Sequence, residues 1–143
     1  MILVDANLLI YSRLGADPRS PRAAEWLDDR INSGIRVGLP WASLTAFLRV
    51  TTNARIQRRP IAFADAWQAV QEWLAVDNVW IPNPTLRHQA VLAGLWPHVS
   101  HSDLVMDAHL AALAIEHGLT LCSADGDFAR FPGLRWENPL LDQ

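Results

Sequence analysis

Four short apolar runs, separated by much longer stretches with helical periodicity, constrain this chain more than anything else in it. The runs cover residues 2–4, 37–39, 79–81 and 119–122, and residues 134–136 offer a fifth. A strand that is continuously apolar is buried on both faces. A chain that alternates such strands with helices folds as a sheet with helices packed on both sides. The expected fold is therefore α/β: a three-layer α/β/α arrangement with a mostly parallel central sheet. With half of its 143 residues apolar and no break in composition, the span 1–143 is expected to form one domain.

The helices announce themselves by their starts. Ser20-Pro21 pairs a capping residue with proline at the first helical position. That helix carries Ala24, Leu27 and Ile31 on one side and ends near Gly34. A short helix over residues 7–11 has Asn7 as a candidate cap. Pro40 opens another helix, with Leu44, Phe47 and Leu48 facing inward. Pro60 opens a long one to about Val76, where Phe63, Trp67, Val70 and Leu74 recur every three or four residues. Further helices end near Trp96-Pro97 and at Gly118, a residue suited to stopping a helix.

Asp5 ends the first apolar run. A carboxylate at the mouth of a buried strand is costly unless it is exposed, paired or bound to a cation. The C-terminal edge of an open α/β sheet is also where such folds place their ligands. The run at residues 119–122 repeats the arrangement, leading through Ser123 and Ala124 into Asp125-Gly126-Asp127. Asp107 stands early in the preceding helix, four residues after Asp103, so the two are expected on one face. Behind it the helix is almost wholly small and apolar, from Ala108 to Ala114.

Each acid has an ordinary explanation alone, as a helix-start carboxylate or a turn former. Taken together, Asp5, Asp107, Asp125 and Asp127 converge on one sheet edge. Carboxylates that close repel one another unless a cation intervenes. Oxygen-only donors call for Mg2+ or Mn2+. The five histidines have no zinc-type spacing, and the single cysteine, Cys122, lies in an apolar run as a buried free thiol. Water on a carboxylate-held Mg2+ can attack a phosphodiester. Ser123 is open to two readings, a phosphate or water contact or a turn cap. Asn7 likewise either orients Asp5, standing with Ser123 as a candidate nucleic-acid contact, or caps a helix.

The net charge of −3 argues against a passive nucleic-acid coat but not against a metal-dependent nuclease. All twelve basic residues are arginine. Arg49, Arg55, Arg58 and Arg59 are candidates for nucleic-acid phosphate contacts, or are solvated charge or intrachain ion pairs. The seven tryptophans read mostly as core or interface anchors. No apolar stretch has membrane-spanning length and no signal-peptide pattern opens the chain, so a cytoplasmic protein is expected.

At this point the chain resembles the PIN-domain nucleases, and within them the VapC-type toxins of type II toxin–antitoxin pairs. The residues that carry the likeness are Val4-Asp5-Ala6-Asn7-Leu8-Leu9, the segment from Asp107 to Ala114, and Ser123-Ala124-Asp125-Gly126-Asp127-Phe128 with Phe131 behind it. Residues 46–53 and 136–140 match one branch of these toxins. The resemblance implies Asp5, Asp107 and Asp125 as metal-binding acids with Asp127 beside them. It also implies Mg2+-dependent cleavage of RNA, a homodimer, and a VapB-type antitoxin that binds DNA at one end and forms a toxin–antitoxin heterooligomer. Many PIN domains carry a glutamate within the segment held here by residues 46–49. This chain has Phe47 there and no acid from Val37 to Ala64. Two alternatives therefore stand beside the nuclease: a catalytically inactive PIN-like module that binds RNA or protein, and a metal-dependent phosphatase. The absence of lysine and the presence of Asn7 weigh against the phosphatase.

Overall fold

The computed structural model describes residues 1–141. Five strands form one sheet: β1 (Ile2–Val4), β2 (Val37–Gly38), β3 (Val79–Trp80), β4 (Thr120–Cys122) and β5 (Arg135–Glu137). Their spatial order is β3-β2-β1-β4-β5, and every pairing is parallel. Ile2 lies opposite both Val37 and Thr120, which places β1 at the centre. Six helices cover the sheet: α1 (Ala6–Arg13), α2 (Ser20–Asn32), α3 (Trp41–Thr51), α4 (Phe63–Leu74), α5 (His88–Leu95) and α6 (Val105–His117). Single 3-10 turns span Trp96–His98, Ser102–Leu104 and Gly126–Arg130.

The pleat of β1 divides the core. Ile2 and Val4 face one way, onto Leu8, Leu27, Phe47, Val70 and Trp73 from the layer of α1 to α4. Leu3 faces the other way, onto Leu95, Ala108, Ala111 and Phe128 from α5, α6 and the turn after β4. Alternate residues of a strand point to opposite faces, so an apolar run of three feeds both layers. Ala108, Ala111, Ala112 and Ala114 of α6 are all fully buried, and their small side chains let the helix lie close to the sheet. Gly118 ends α6 in the left-handed conformation at φ 66°, where a Cβ would be strained.

Several expectations need correction. The cap of α1 is Asp5, whose Oδ1 accepts from the Ala6 N–H over 2.7 Å, and not Asn7. Ser20 is the first residue of α2 rather than its cap and is buried, while Asp17 accepts from the Arg19 N–H just before it. Asp103 belongs to the turn Ser102–Leu104, not to α6, and its side chain is 92% exposed, so it does not share a face with Asp107. The inward stripe of α4 is Ala66, Ala69, Val70 and Trp73, whereas Phe63 and Trp67 are exposed. Of the tryptophans only Trp73 is buried; Trp41, Trp67 and Trp96 are exposed and the others half-buried. Among the described residues no helix is long and apolar enough to cross a membrane.

Candidate metal centre

The C-terminal ends of β1 and β4 are adjacent, because Val4 pairs with Cys122. The Asp5 N–H continues the ladder by donating to the Cys122 carbonyl over 3.0 Å. Each chain then turns outward on a carboxylate. Asp5 opens α1, and Asp125 opens the turn Gly126–Arg130, with its Oδ1 accepting from the Asp127 N–H over 2.9 Å. Asp107 arrives from α6, whose first turn lies over the same edge. One carboxylate oxygen from each of Asp107, Asp125 and Asp127 lies within 4.8 Å of the others.

The tight group is therefore Asp107, Asp125 and Asp127, with Asp5 beside it. The resemblance implies Asp5, Asp107 and Asp125 as metal-binding acids with Asp127 beside them, whereas by oxygen separation the clustered three are Asp107, Asp125 and Asp127. The reason for the difference is local. Both oxygens of Asp5 are engaged, Oδ1 by the Ala6 N–H and Oδ2 by the Ser123 hydroxyl over 2.8 Å. Asp127 follows Asp125 by two residues in the same short turn, and its Oδ1 accepts from Arg130.

Ser123 is fully buried and organises this edge. Its Oγ donates to Asp5 and accepts from the Asn7 amide over 3.0 Å and from the Asp125 N–H over 3.0 Å. Asn7 Oδ1 in turn accepts from the Ala124 N–H over 3.3 Å. A hydroxyl has one donor and two acceptor lone pairs, so Ser123 is saturated within the protein. Its side chain and that of Asn7 are spent on tying Asp5 to the 123–125 segment.

Electrostatics report the crowding. Asp107 is pushed up to about 6, first by burial and then by the charges of Asp5, Asp125 and Asp127, with Arg130 pulling the other way. Asp5 is also raised, by burial first and by Asp125, against the hydrogen bonds from Ser123 and Ala6. Burial raises the Cys122 thiol to about 12, so it is an inert core residue. A cluster of hard oxygen donors that resists full ionisation fits Mg2+ or Mn2+, and it contains no soft ligand that would favour zinc.

The arginines sit elsewhere. Arg49 is exposed and lies eight residues along α3 from Trp41, roughly 12 Å of helix rise. Arg55 is exposed in the loop beyond α3. Arg58 and Arg59 line a cleft of about 890 Å³ with Arg13, at the far end of α1 from Asp5. Phe47 is buried with its ring 4.9 Å from that of Trp73, so this position of α3 serves the core. Sequence reasoning missed Arg130, which donates to Asp127 Oδ1 over 3.0 Å. Its spacing of three from Asp127 was the available signal.

The profile of the PIN domain family matches residues 2–134. The chain belongs to the PIN-domain family, and its resemblance within that family is to VapC proteins. Ribonuclease VapC37 of Mycobacterium tuberculosis is 40% identical over 140 residues, covering 97% of each chain. Ribonuclease VapC33 of the same species is 40% identical over 143 residues, covering 99% of this chain and 100% of that one. The solved structure of FitAcB from Neisseria gonorrhoeae superposes with a TM-score of 0.67 at 21% identity, over 97% of this chain and 98% of that one. VapBC2 of Rickettsia felis, solved bound to a DNA fragment from its promoter, superposes at 0.65 with 15% identity over 96% and 98%. At those identities the two structures bear on the fold alone.

Proposed function

We propose that this protein is the toxin of a type II toxin–antitoxin pair, a Mg2+-dependent endoribonuclease that hydrolyses RNA phosphodiester bonds. The observation that carries the reading is the convergence of Asp107, Asp125 and Asp127 at the edge where Asp5 caps α1. These residues would hold the divalent ion, Mg2+ or Mn2+, which supplies an activated water and offsets charge on the phosphate oxygens. Asp5 completes the acidic set, and the Ser123 and Ala6 bonds hold its carboxylate in one orientation. Asp107 gives up its proton only as pH rises through about 6, because burial and the neighbouring carboxylates hold it there.

Arg49 and Arg55 have no side-chain partner among the described residues, and we assign them to RNA phosphates away from the cut. Asn7 and Ser123 support the acids rather than touch the RNA. A VapB-type antitoxin, a homodimer, a toxin–antitoxin heterooligomer and a cytoplasmic setting belong to the same reading.

The test is induced expression of wild type, Asp5→Ala and Asp107→Ala, with cellular RNA read at nucleotide resolution. The expected result is growth arrest with discrete new RNA ends for wild type only, and cleavage by purified protein that EDTA abolishes. Equal growth of all three strains with no Mg2+- or Mn2+-dependent cleavage would overturn the reading. Retained RNA binding in that case would favour the inactive binding module, to which the lack of any acid on α3 already points.

A further inference from the structure

Arg130 stands at the rim of the carboxylate group with part of its donor set unused. Its Nε donates to the Asp127 carbonyl oxygen over 3.1 Å and its Nη2 to Asp127 Oδ1 over 3.0 Å. Its Nη1 donates to Ser100 Oγ over 3.2 Å. These bonds tie the guanidinium to the turn Gly126–Arg130 on one side and to the segment before α6 on the other. A guanidinium has five N–H donors. Two are left, one on each terminal nitrogen, and neither has a partner among the described residues. The side chain is 32% exposed.

Neutralising Asp127 occupies only one edge of the guanidinium. The remaining N–H groups are pre-ordered, charged and next to the site where a divalent ion would sit. Arginine holds phosphate through this forked geometry, at little further entropic cost once its plane is fixed. We propose that Arg130 is a phosphate clamp, whose two free Nη N–H groups hold a non-bridging oxygen of the phosphodiester lying against Asp107, Asp125 and Asp127. The clamp rests on the nuclease reading above. It sets the phosphate in place and meets the charge that grows on its oxygens during attack. Ser100 is a positioning residue that fixes the plane of the fork.

The test uses two probes, Mn2+ and the dinucleotide thymidylyl-thymidine, which presents one phosphodiester. Mn2+ affinity is read from the free-ion paramagnetic resonance signal. Dinucleotide affinity is read from 31P line broadening by the Mn2+-loaded protein. For Arg130→Met, Mn2+ is expected to bind as tightly as to wild type or up to threefold more tightly, since a positive charge has gone. Dinucleotide affinity is expected to fall at least tenfold. Arg130→Lys keeps the charge without the fork; its dinucleotide affinity should fall at least threefold with Mn2+ affinity unchanged, and it carries the comparison if the Met variant does not fold. Unchanged dinucleotide affinity in these variants overturns the clamp, as does absence of dinucleotide binding by Mn2+-loaded wild type. A tenfold loss of Mn2+ affinity would also overturn it, making Arg130 a support for Asp127 alone. If wild type binds no Mn2+, the nuclease reading itself fails and the clamp falls with it.

Discussion

The Ser123 hydroxyl donates to Oδ2 of Asp5 over 2.8 Å, joining positions 118 residues apart in the chain. This bond connects the two halves of the acidic edge. It is possible because β1 and β4 are parallel neighbours in register, so that Val4 and Cys122 end together. Each strand then presents its next residue to the other.

Ser123→Ala removes that link and strands its partners. The Asn7 amide and the Asp125 N–H would lose their acceptor, and Asp5 its side-chain donor. A buried polar group left unpaired costs about 1–3 kcal/mol. We expect a loss of about 2 kcal/mol in urea denaturation, with weakened Mn2+ binding as Asp5 keeps only its bond to Ala6. Asn7→Ala should be less than additive with it, since both substitutions cut the same network. Fully additive losses would show that the network does not act as a unit.

Asp107 predicts a pH dependence that the metal-free protein should display. Its folded pKa of about 6 exceeds the ordinary 3.8, so the folded state binds the proton more tightly than the unfolded chain does. That contribution is complete below 3.8 and is lost as pH rises through about 6. Asp107→Asn should therefore be more stable than wild type in EDTA at pH 8, by about 1 kcal/mol once solvent screening of this half-exposed group is allowed for. The gain should shrink toward pH 4, and Mg2+ should reverse it at pH 8 by stabilising wild type alone. Thermal melts across that range decide it. A gain independent of pH would mean that repulsion among the acids is not its source.

What the sequence displayed clearly was whatever depends on neighbours in the chain. The continuous apolar character of residues 2–4 and 119–122 marks both strands, with Asp5 directly after the first and Asp125 three residues after the second. The role of Ser123 depends on a partner at the other end of the chain, so its two readings could not be separated. Arg130 differs, since its bond to Asp127 spans only three residues and was open to view, while its bond to Ser100 forms across the fold. The α4 stripe was misplaced by residue type. Bulky Phe63 and Trp67 drew the reading, while the buried face uses Ala66 and Ala69 to approach the sheet and Trp73 to meet Phe47.

That misplacement yields a stability contrast on one helix. Phe63 and Trp67 are 62% and 39% exposed, whereas Val70 is fully buried. Phe63→Ser and Trp67→Gln should each cost within about 0.5 kcal/mol, as surface changes do. Val70→Ala should cost about 2 kcal/mol through lost burial and the cavity left behind. Guanidinium denaturation of the three variants gives the comparison. A loss at Phe63 or Trp67 matching that at Val70 would place those side chains in an apolar contact in solution.

Glu116 offers the last test, because it separates what holds the fold from what serves the acidic edge. Its side chain is fully buried between α6 and α5. Oε1 accepts from both the N–H and the hydroxyl of Thr85, Oε2 faces His88 Nδ1, and His88 Nε2 lies 3.1 Å from His109 Nδ1. Burial alone would raise its pKa, but the Thr85 and His88 bonds outweigh burial and hold it below the ordinary 4.5. Glu116→Gln keeps an acceptor for Thr85 and loses the charge facing His88. Hydrogen bonds to charged groups contribute about 1.5–3 kcal/mol, so a loss of about 2 kcal/mol is expected at pH 7. A lowered folded pKa means the contribution is present above 4.5 and is lost as pH falls below it. The gap between wild type and variant should therefore close in acid. Glu116 also lies nine residues along α6 from Asp107, roughly 13 Å of helix rise. Mn2+ affinity of the folded variant should then match wild type within a factor of two. A large drop in Mn2+ affinity without loss of stability would mean that the α5–α6 contact sets the position of Asp107 rather than simply holding the layer together.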